Sequence, residues 1–470
     1  MRTLLAHEWC TFWHSTRTMN KKFLIFYLLL ALSGSAIRAQ KSWTLDACVA
    51  YSLEHNLQLN NLEYAAQSNR ESYRQSYRDL LPSVSAGSNY SILYGRSIDP
   101  NTNAVVNSDF FSNNYNLGAN LDIFNGFQKL NSIAASKLLY HAAKEDAVNE
   151  RYLLAFRVMT NFYNVMYYEE QIKIAKGQFE ISSGNVKLVK REIDLGVKAG
   201  ADLYEAQSVL EGDKLALIQA ENNYKTARLS LMQEMNLESE DDFNIDTSAE
   251  ALIMSQSEKS DLLTDSIYHE ALDFIPTIKS GEYRLRAAKS EVAKSRGRLF
   301  PSLTFFTGYS TGYYETNVND IGNIIPFKNQ IRDNASKYVG LSLNVPVFEA
   351  WSRRSAIKQQ KIALLEAKNN LDIRKQELNK LIRQLVQDYT AGTAEYEQTQ
   401  QNVLAQSMAF EIAQKKYNKG MISILELNQV KNAFAKAQNE NLQILSKLKV
   451  QEKTIDFYRG LPVFNINTNN

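Results

Sequence analysis

The 470-residue chain contains two copies of one plan, and this duplication limits its possible folds more than any other feature. Three landmarks recur in the same order: a Pro-Ser strand entry, an apolar segment ending in Phe, and a Gly followed by an acid. The first pair is Leu81-Pro82-Ser83 with Phe300-Pro301-Ser302, 219 positions apart. The others are 224 apart: Leu121-Asp122-Ile123-Phe124 with Val345-Pro346-Val347-Phe348, and Gly196, Asp202, Ala206 with Gly420, Glu426, Val430. Each half is predicted to run helix, strand, loop, strand, long helix, tight turn, helix.

Four segments alternate between apolar residues and small polar residues with the period of a strand. Each is about 10–12 residues long, the length that crosses a bilayer as a tilted strand. The alternative is one face of a soluble sandwich, which normally has more and shorter strands. The apolar positions are Val84, Ala86, Tyr90, Ile92, Tyr94; Tyr115, Leu117, Ala119, Leu121, Ile123; Leu303, Phe305, Tyr309, Tyr313; and Val339, Leu341, Leu343, Val345, Val347.

Four membrane strands are too few to close a barrel, and an open sheet edge is not tolerated in lipid. Single-chain barrels begin at about eight strands, so at least two copies of this chain must contribute to one barrel. The sequence therefore predicts an α+β membrane protein that assembles with itself.

Long helices are predicted because no Pro occurs between Phe127 and Ile275, nor between Val347 and Leu461. A helix from about Phe127 to Leu195 would be roughly 100 Å long. The segment after it has a heptad pattern with a small-residue seam beside it, which is typical of packing helices rather than of a binding site. The heptad residues are Leu203, Leu210, Leu217, Tyr224 and Leu231, and the seam residues are Ala206, Ala220 and Ala227.

Residues 1–39 have the pattern of a secretory signal peptide, cleaved after Ala39. Lys21 and Lys22 precede the apolar run Phe23–Leu32, which at about 10 residues is shorter than the ~20 a membrane anchor needs. Residues 1–18 are read as an extra extension, and either Met1 or Met19 can be the start. The remaining predicted divisions are repeats at 40–235 and 261–460, a polar connector with little regular structure at 236–260, and a tail at 461–470.

Composition excludes several classes of function. The net charge of +2 falls to −2 without residues 1–39, which hold five basic residues and one acidic residue, so nucleic acid is not an expected partner. Cys48 then stands alone and is expected to be a buried helical residue. The sequence carries no zinc, thiol-redox, nucleophile-elbow or phosphate-loop motif. We therefore expect no enzyme activity, no metal and no cofactor.

The two helix turns are the candidate functional sites. Gly196 and Gly200 mark the first turn and Gly420 the second, and in each turn a Gly is expected to end one helix, so that the turn is the tip of a long hairpin. Acids follow in each next helix: Asp202 and Glu205 are three apart and share a face, and Glu426 and Gln429 repeat that spacing. The alternative is that these acids only cap their helices and interact with the helix dipole.

Together, the signal peptide, the duplicated plan, the Pro-marked strands and the Gly turns resemble the TolC-like outer-membrane efflux family over nearly the whole chain after Ala39. The resemblance implies a trimer with a shared 12-stranded barrel and a periplasmic α-helical barrel, in the outer membrane of a Gram-negative bacterium. It also implies a passive exit duct that docks to a periplasmic adaptor and an inner-membrane transporter, with lipid around the strands.

At the second turn, Tyr417 and Glu426 match the family's aperture residues, whereas Ile422 stands in place of an Arg and Gln429 in place of a second acid. The Asn-Pro of the family's first helix is Asn56-Leu57 here. We expect Asp202, Glu205 and Glu426 to ring the narrow end and favour cations. Two alternatives stay open: a trimeric surface adhesin with a helical stalk, and a duct for one-step (type I) protein secretion. The sequence does not distinguish drug, metal or protein cargo.

Overall fold

The structure, a computed structural model, describes residues 42–99, 103–107, 109–238, 243–246 and 264–464. The predicted signal peptide, most of the predicted connector and the end of the predicted tail lie outside these residues. The described elements, in chain order, are β1 (Ser42–Trp43), α1 (Leu45–His55), α2 (Leu57–Arg78), β2 (Ser83–Leu93), β3 (Arg96–Ile98), β4 (Val105–Asn107), β5 (Phe110–Phe124), α3 (Gln128–Asp194), α4 (Gly200–Glu234), β6 (Asn244–Ile245), α5 (Thr264–Phe274), α6 (Pro276–Gly297), β7 (Ser302–Tyr314), α7 (Phe327–Asp333), β8 (Ser336–Asn344), α8 (Ser352–Asn418) and α9 (Ile424–Tyr458).

The internal duplication is visible as equal helix lengths. The long helices α3 and α8 each have 67 residues, which makes each about 100 Å long. Their return helices α4 and α9 each have 35 residues. The shorter helices before the strands repeat as well, with 11 residues in α1 and α5 and 22 in α2 and α6. Each half therefore builds one long antiparallel hairpin, as the Pro-free segments predict.

The two halves start their second helix by different chemical means. The side chain of Asn56 accepts hydrogen bonds from the backbone N–H groups of Gln58 and Leu59, each at 3.0 Å, and so caps α2. Pro276 is the first residue of α6. An N–H at this position makes no hydrogen bond within the helix, so proline, which has no N–H, is tolerated there. Each half thus keeps one element of the Asn-Pro pair that the family resemblance leads one to expect.

One antiparallel sheet has the strand order β2-β5-β7-β8. Its register places Val84 opposite Ala119, Leu117 opposite Tyr309, and Phe305 opposite Leu341. Because directly opposed residues point to the same side of a sheet, the predicted apolar positions of these strands share one face. We call it the apolar face. β2 and β8 are the outer strands of this sheet.

Two details of the strands differ from the sequence prediction. β8 ends at Asn344 and does not reach Val347, because Pro346 has no N–H for the ladder and disfavours a regular continuation. The opposite face is not uniformly small and polar, since it also carries Phe306 and Tyr338. Tyr338 lies directly opposite Gly308, where an added Cβ would come within 2.4 Å of its ring, so the glycine provides the space for the aromatic side chain.

The helices pack around a core beside the middle of α3, where α4 ends. Leu154, Phe162 and Leu231 are fully buried there, and the α4 seam residues Ala206 and Ala227 are buried along the hairpin. Cys48 is buried in α1, as expected, and burial raises the pKa of its thiol to about 12. In the described part of the chain, no helix combines the length and the apolarity needed to cross a membrane.

The predicted connector contains a short strand that the sequence did not indicate. β6 pairs in parallel with β1, with Trp43 opposite Ile245. The ring of Phe243, just before β6, lies 5.7 Å from that of Trp43. The two residues of β6 thus have regular structure in a connector for which little was expected, and a pairing about 200 positions distant leaves no local pattern that would indicate it.

Candidate functional site at the hairpin tips

Both hairpin tips end their long helix with the same backbone geometry. Gly196 has φ 75° and Gly420 has φ 69°, the left-handed conformation that glycine adopts without strain. The N–H of Gly196 donates to the carbonyl of Ile193, and the N–H of Val197 donates to that of Glu192, both at 2.8 Å. The second tip repeats these two bonds around Gly420. These are Schellman caps, which satisfy the last carbonyls of a helix and reverse the chain.

Not every predicted turn residue has that conformation. Gly200 is the first residue of α4 and has no left-handed backbone. The return helix after it begins with an acidic cap, because the carboxylate of Asp202 accepts a 3.1 Å hydrogen bond from the N–H of Ala199. At the second tip, Ser423 accepts a 3.1 Å hydrogen bond from the N–H of Glu426, whose carboxylate accepts in turn from the N–H of Ser423 at 3.4 Å. Two of the predicted aperture acids therefore cap their own helices.

The fold brings the two tips into one apolar cluster. Tyr417 is only 2% exposed and packs with Val189 of α3 and Ala206 of α4. Ala413 of α8 and Ile424 and Leu427 of α9 complete the buried part of this cluster. Ile422, at the position where the family resemblance leads one to expect an Arg, is half-buried against the same cluster, and an aliphatic side chain suits that position.

Lys198 of the first tip contacts Tyr417 of the second hairpin. Its Nζ lies 3.5 Å from the Tyr417 hydroxyl oxygen and 4.8 Å from the ring centroid, and it forms a 2.9 Å ion pair with Glu192. Partial burial lowers the pKa of Lys198, but the bond to Glu192 and the contact with Tyr417 outweigh it, so the net pKa is raised. Burial raises the pKa of the Tyr417 phenol, although Lys198 opposes this. Lys198 is therefore a cation, and Tyr417 a neutral partner, at neutral pH.

The remaining predicted aperture residues lie on the outside of the tips. Glu205, Glu426 and Gln429 are exposed, and Asp202 is half-buried. The charge of Asp202 also acts on Tyr417, where it raises the pKa of the phenol. Each return helix thus carries one carboxylate in its first turn, Asp202 in α4 and Glu426 in α9.

A second connection between the hairpins lies above the tips. Lys431 of α9 is 1% exposed, donates a 2.7 Å hydrogen bond to the hydroxyl of Ser182 on α3, and forms an ion pair with Asp213 on α4. Ser182 also donates to Asp213. Sequence reasoning missed this group and the Lys198 contact. One signal in the sequence could have indicated Lys431: it lies one helical turn after the buried Leu427, on an otherwise apolar seam of α9.

Comparison with known proteins identifies a consistent set of relatives. The family model described as outer membrane efflux protein matches residues 49–237 and 267–461. The outer membrane efflux protein BepC of Brucella suis biovar 1 is 20% identical over 409 residues, which cover 87% of this chain and 83% of the relative. The outer membrane protein TolC of Vibrio cholerae serotype O1 is 21% identical over 439 residues, covering 92% and 95%.

The fold comparison agrees with these matches. A crystal structure of CusC superposes with a TM-score of 0.74 at 16% identity, covering 89% of this chain and 92% of that one. The outer-membrane channel OprN superposes with a TM-score of 0.72 at 18% identity, covering 88% and 89%. The helical hairpins and the small sheet are therefore the fold of these outer-membrane channels.

Proposed function

Because this chain belongs to the outer membrane efflux protein family, we propose that it is the exit duct of a tripartite pump and conducts solutes passively to the outside. It resides in the outer membrane of a Gram-negative bacterium, with its helical part in the periplasm. The family is a channel family and not an enzyme family, and we propose that this chain likewise catalyses no reaction. A surface adhesin and a duct dedicated to protein secretion are not favoured.

We further propose that three copies form the duct. The single observation that carries self-assembly is the sheet, which is apolar on one face and has β2 and β8 as its outer strands. The number three is what the resemblance to the family implies. An outer strand exposed to hydrocarbon leaves backbone groups without partners, which costs several kcal/mol for each group. Pairing β8 of one copy with β2 of the next removes both edges, and three copies would supply 12 strands.

The periplasmic aperture is the second part of the proposal. The tips of both hairpins would converge at the narrow end, with Asp202, Glu205 and Glu426 around it and Gln429 beside them. Carboxylates around a pore attract cations and repel anions. The contact of Lys198 with Tyr417 would hold the two hairpins of each copy together, so that opening the aperture requires breaking it.

The partners follow from the proposed duct. A periplasmic adaptor would dock on the hairpins, and an inner-membrane transporter would supply the energy and select the cargo. The outer-membrane lipid would contact the apolar face of the sheet.

The test uses the purified protein in detergent and in planar bilayers. We expect light scattering coupled to chromatography to give the mass of a trimer, and bilayer recordings to show ion-conducting channels. Purification as a stable lone subunit would refute the trimer. A trimer that inserts into the bilayer without conducting would refute the duct.

A further inference from the structure

An aromatic residue adopts a left-handed backbone at the strand-to-helix corner of each half. Phe127 has φ 63° and ψ 14°, and Trp351, 224 positions later, has φ 63° and ψ 1°. Bulky side chains are strained in this region, whereas glycine is not. The structure thus keeps an unfavourable conformation at two equivalent places, and in each the result is a large ring beside the end of the sheet.

The contacts of Phe127 show on which side of the sheet its ring lies. Near its end, β5 has a bulge at Ile123, so Phe124 is paired with Leu303 and belongs to the apolar face. The ring of Phe127 meets that of Phe124 edge-on, with centroids 5.3 Å apart. Phe127 therefore extends the apolar face toward the helices, and the duplication gives Trp351 the equivalent position.

The exposed fractions of the two rings indicate whether a neighbouring copy of the chain would cover them. β5 is an inner strand, and its corner is flanked by the chain's own α6, since a Cβ on Gly126 would meet the carbonyl of Gly297. Phe127 is nevertheless 56% exposed, close to the 62% of Trp351, which lies just before α8 in the segment that follows outer strand β8. If a neighbouring copy flanked β8 in the way that α6 and β7 flank β5, Trp351 would stay exposed, as Phe127 does.

A basic group accompanies Trp351. The guanidinium carbon of Arg354 lies 4.5 Å from the centroid of the Trp351 ring, and the Arg354 side chain is exposed. A shallow cavity of about 150 Å³ is lined by both residues together with Phe348 and Ser352. The neighbouring Arg353 is already engaged, because it pairs with Glu349 and donates to the carbonyl of Arg298.

We propose that Phe127 and Trp351 anchor the duct in the phospholipid leaflet on the periplasmic side of the outer membrane, and that Arg354 binds the headgroup phosphate beside Trp351. This inference rests on the proposed membrane-spanning role of the sheet. Indole rings favour the boundary between hydrocarbon and headgroups, and a guanidinium pairs with phosphate through two parallel hydrogen bonds. The corner combines both, at the level where the strands end and the helices begin.

Tryptophan fluorescence tests the anchor directly, because Trp43 and Trp351 are the two tryptophans after the predicted cleavage site. Trp43 is buried, and Trp43→Phe leaves Trp351 as the reporter, with Trp351→Phe as the matched control. In lipid nanodiscs, we expect phospholipids brominated high on the acyl chain to quench most Trp351 emission, and iodide in the water to quench little. Quenching by iodide with no effect of brominated lipid would overturn the anchor.

Arg354→Gln tests the phosphate contact, and Lys358→Gln, an exposed basic residue one turn later, is the control. We expect native mass spectrometry of the trimer to show fewer retained phosphatidylglycerol molecules for the Arg354 variant alone. Equal retention by both variants and the wild type would refute the role of Arg354. The oligomer mass is measured in the same experiment, so a lone subunit would refute the proposed duct, whereas a trimer with unchanged lipid retention would refute only this contact.

Discussion

Lys198 and Tyr417 lie in different repeats, 219 positions apart, and meet at the hairpin tips with the lysine Nζ 3.5 Å from the phenol oxygen. The resemblance to the family leads one to expect a cation near this tyrosine, at position 422, within the same hairpin. Ile422 occupies that position and packs into the apolar cluster. The cation comes instead from the other hairpin, so a similar partner for Tyr417 is supplied by a different part of the chain.

Removing this contact should favour separation of the tips. Lys198→Met deletes the contact with Tyr417, which joins the two hairpins, and the ion pair with Glu192, which lies within the first hairpin. The contact between the hairpins contributes about 1 kcal/mol, so its loss should change the population of the open aperture roughly fivefold. We expect a larger mean conductance in planar bilayers. Lys419→Met removes an exposed lysine from the second tip and is the matched control. Equal conductance changes in the two variants would mean that net charge, not the contact, controls opening.

The carboxylates at the tips should determine ion selectivity. Asp202→Asn with Glu426→Gln removes two charges per chain, while the amide oxygens can still cap the helices. We expect the reversal potential in a salt gradient to move toward that of a non-selective pore. Glu211→Gln, an exposed acid farther along α4, should leave it unchanged. Unchanged cation selectivity in the double variant would show that the ring assignment is wrong.

The buried lysine should be costly to remove alone. Lys431→Met leaves the Asp213 carboxylate in the packed hairpins without its cationic partner, although Ser182 can still donate to it, and breaking a buried pair in this way destabilises by about 3–5 kcal/mol. Lys431→Met combined with Asp213→Leu should recover much of that loss, because no charge is then left buried. Urea unfolding followed by helical circular dichroism measures both. Lys436→Met, an exposed control on the same helix, should change stability by less than about 1 kcal/mol.

The two left-handed glycines should respond alike to an added methyl group. Gly196→Ala and Gly420→Ala each impose about 1–2 kcal/mol of backbone strain, although the space around both residues is open. Gly212 lies within α4 with equally open surroundings, so Gly212→Ala should stabilise by about 0.5–1 kcal/mol. Thermal unfolding in detergent gives the comparison. The same sign of change at all three positions would contradict the assigned cap geometry.

Asp456 gives a pH-dependent prediction. Burial raises its pKa, and the nearby charge of Glu452 raises it further. A raised pKa in the folded state means that the fold favours the neutral form of the Asp456 carboxyl. The contribution of this group to stability is therefore fully present below the ordinary pKa of about 3.9, and it is lost as the pH rises through the folded-state pKa. Asp456→Asn should therefore raise the midpoint of thermal unfolding at pH 7, and the gain should vanish in acid. Asp372→Asn, an exposed control in α8, should show no such trend.

The sequence determined what its local patterns encode. The period-two segments gave the strands and their apolar face, and the Pro-free heptad stretches gave the long hairpins. Gly196 and Gly420 gave the tips, because a chain that reverses after a helix needs a residue free to adopt positive φ. The repeat offset of 224 positions predicted two halves with the same plan, and this prediction required no information about how the halves pack.

Only the tertiary structure decided which distant residues meet. Lys198 with Tyr417 and Lys431 with Asp213 are separated by 219 and 218 positions, and their charges resemble the solvated charges elsewhere on the helices. β6 was invisible for the same reason, since two residues acquire strand geometry only from their partner in β1. Periodicity reports the surface that a segment must bury, but a specific polar contact depends on how two helices are placed against each other, and that placement is fixed by packing.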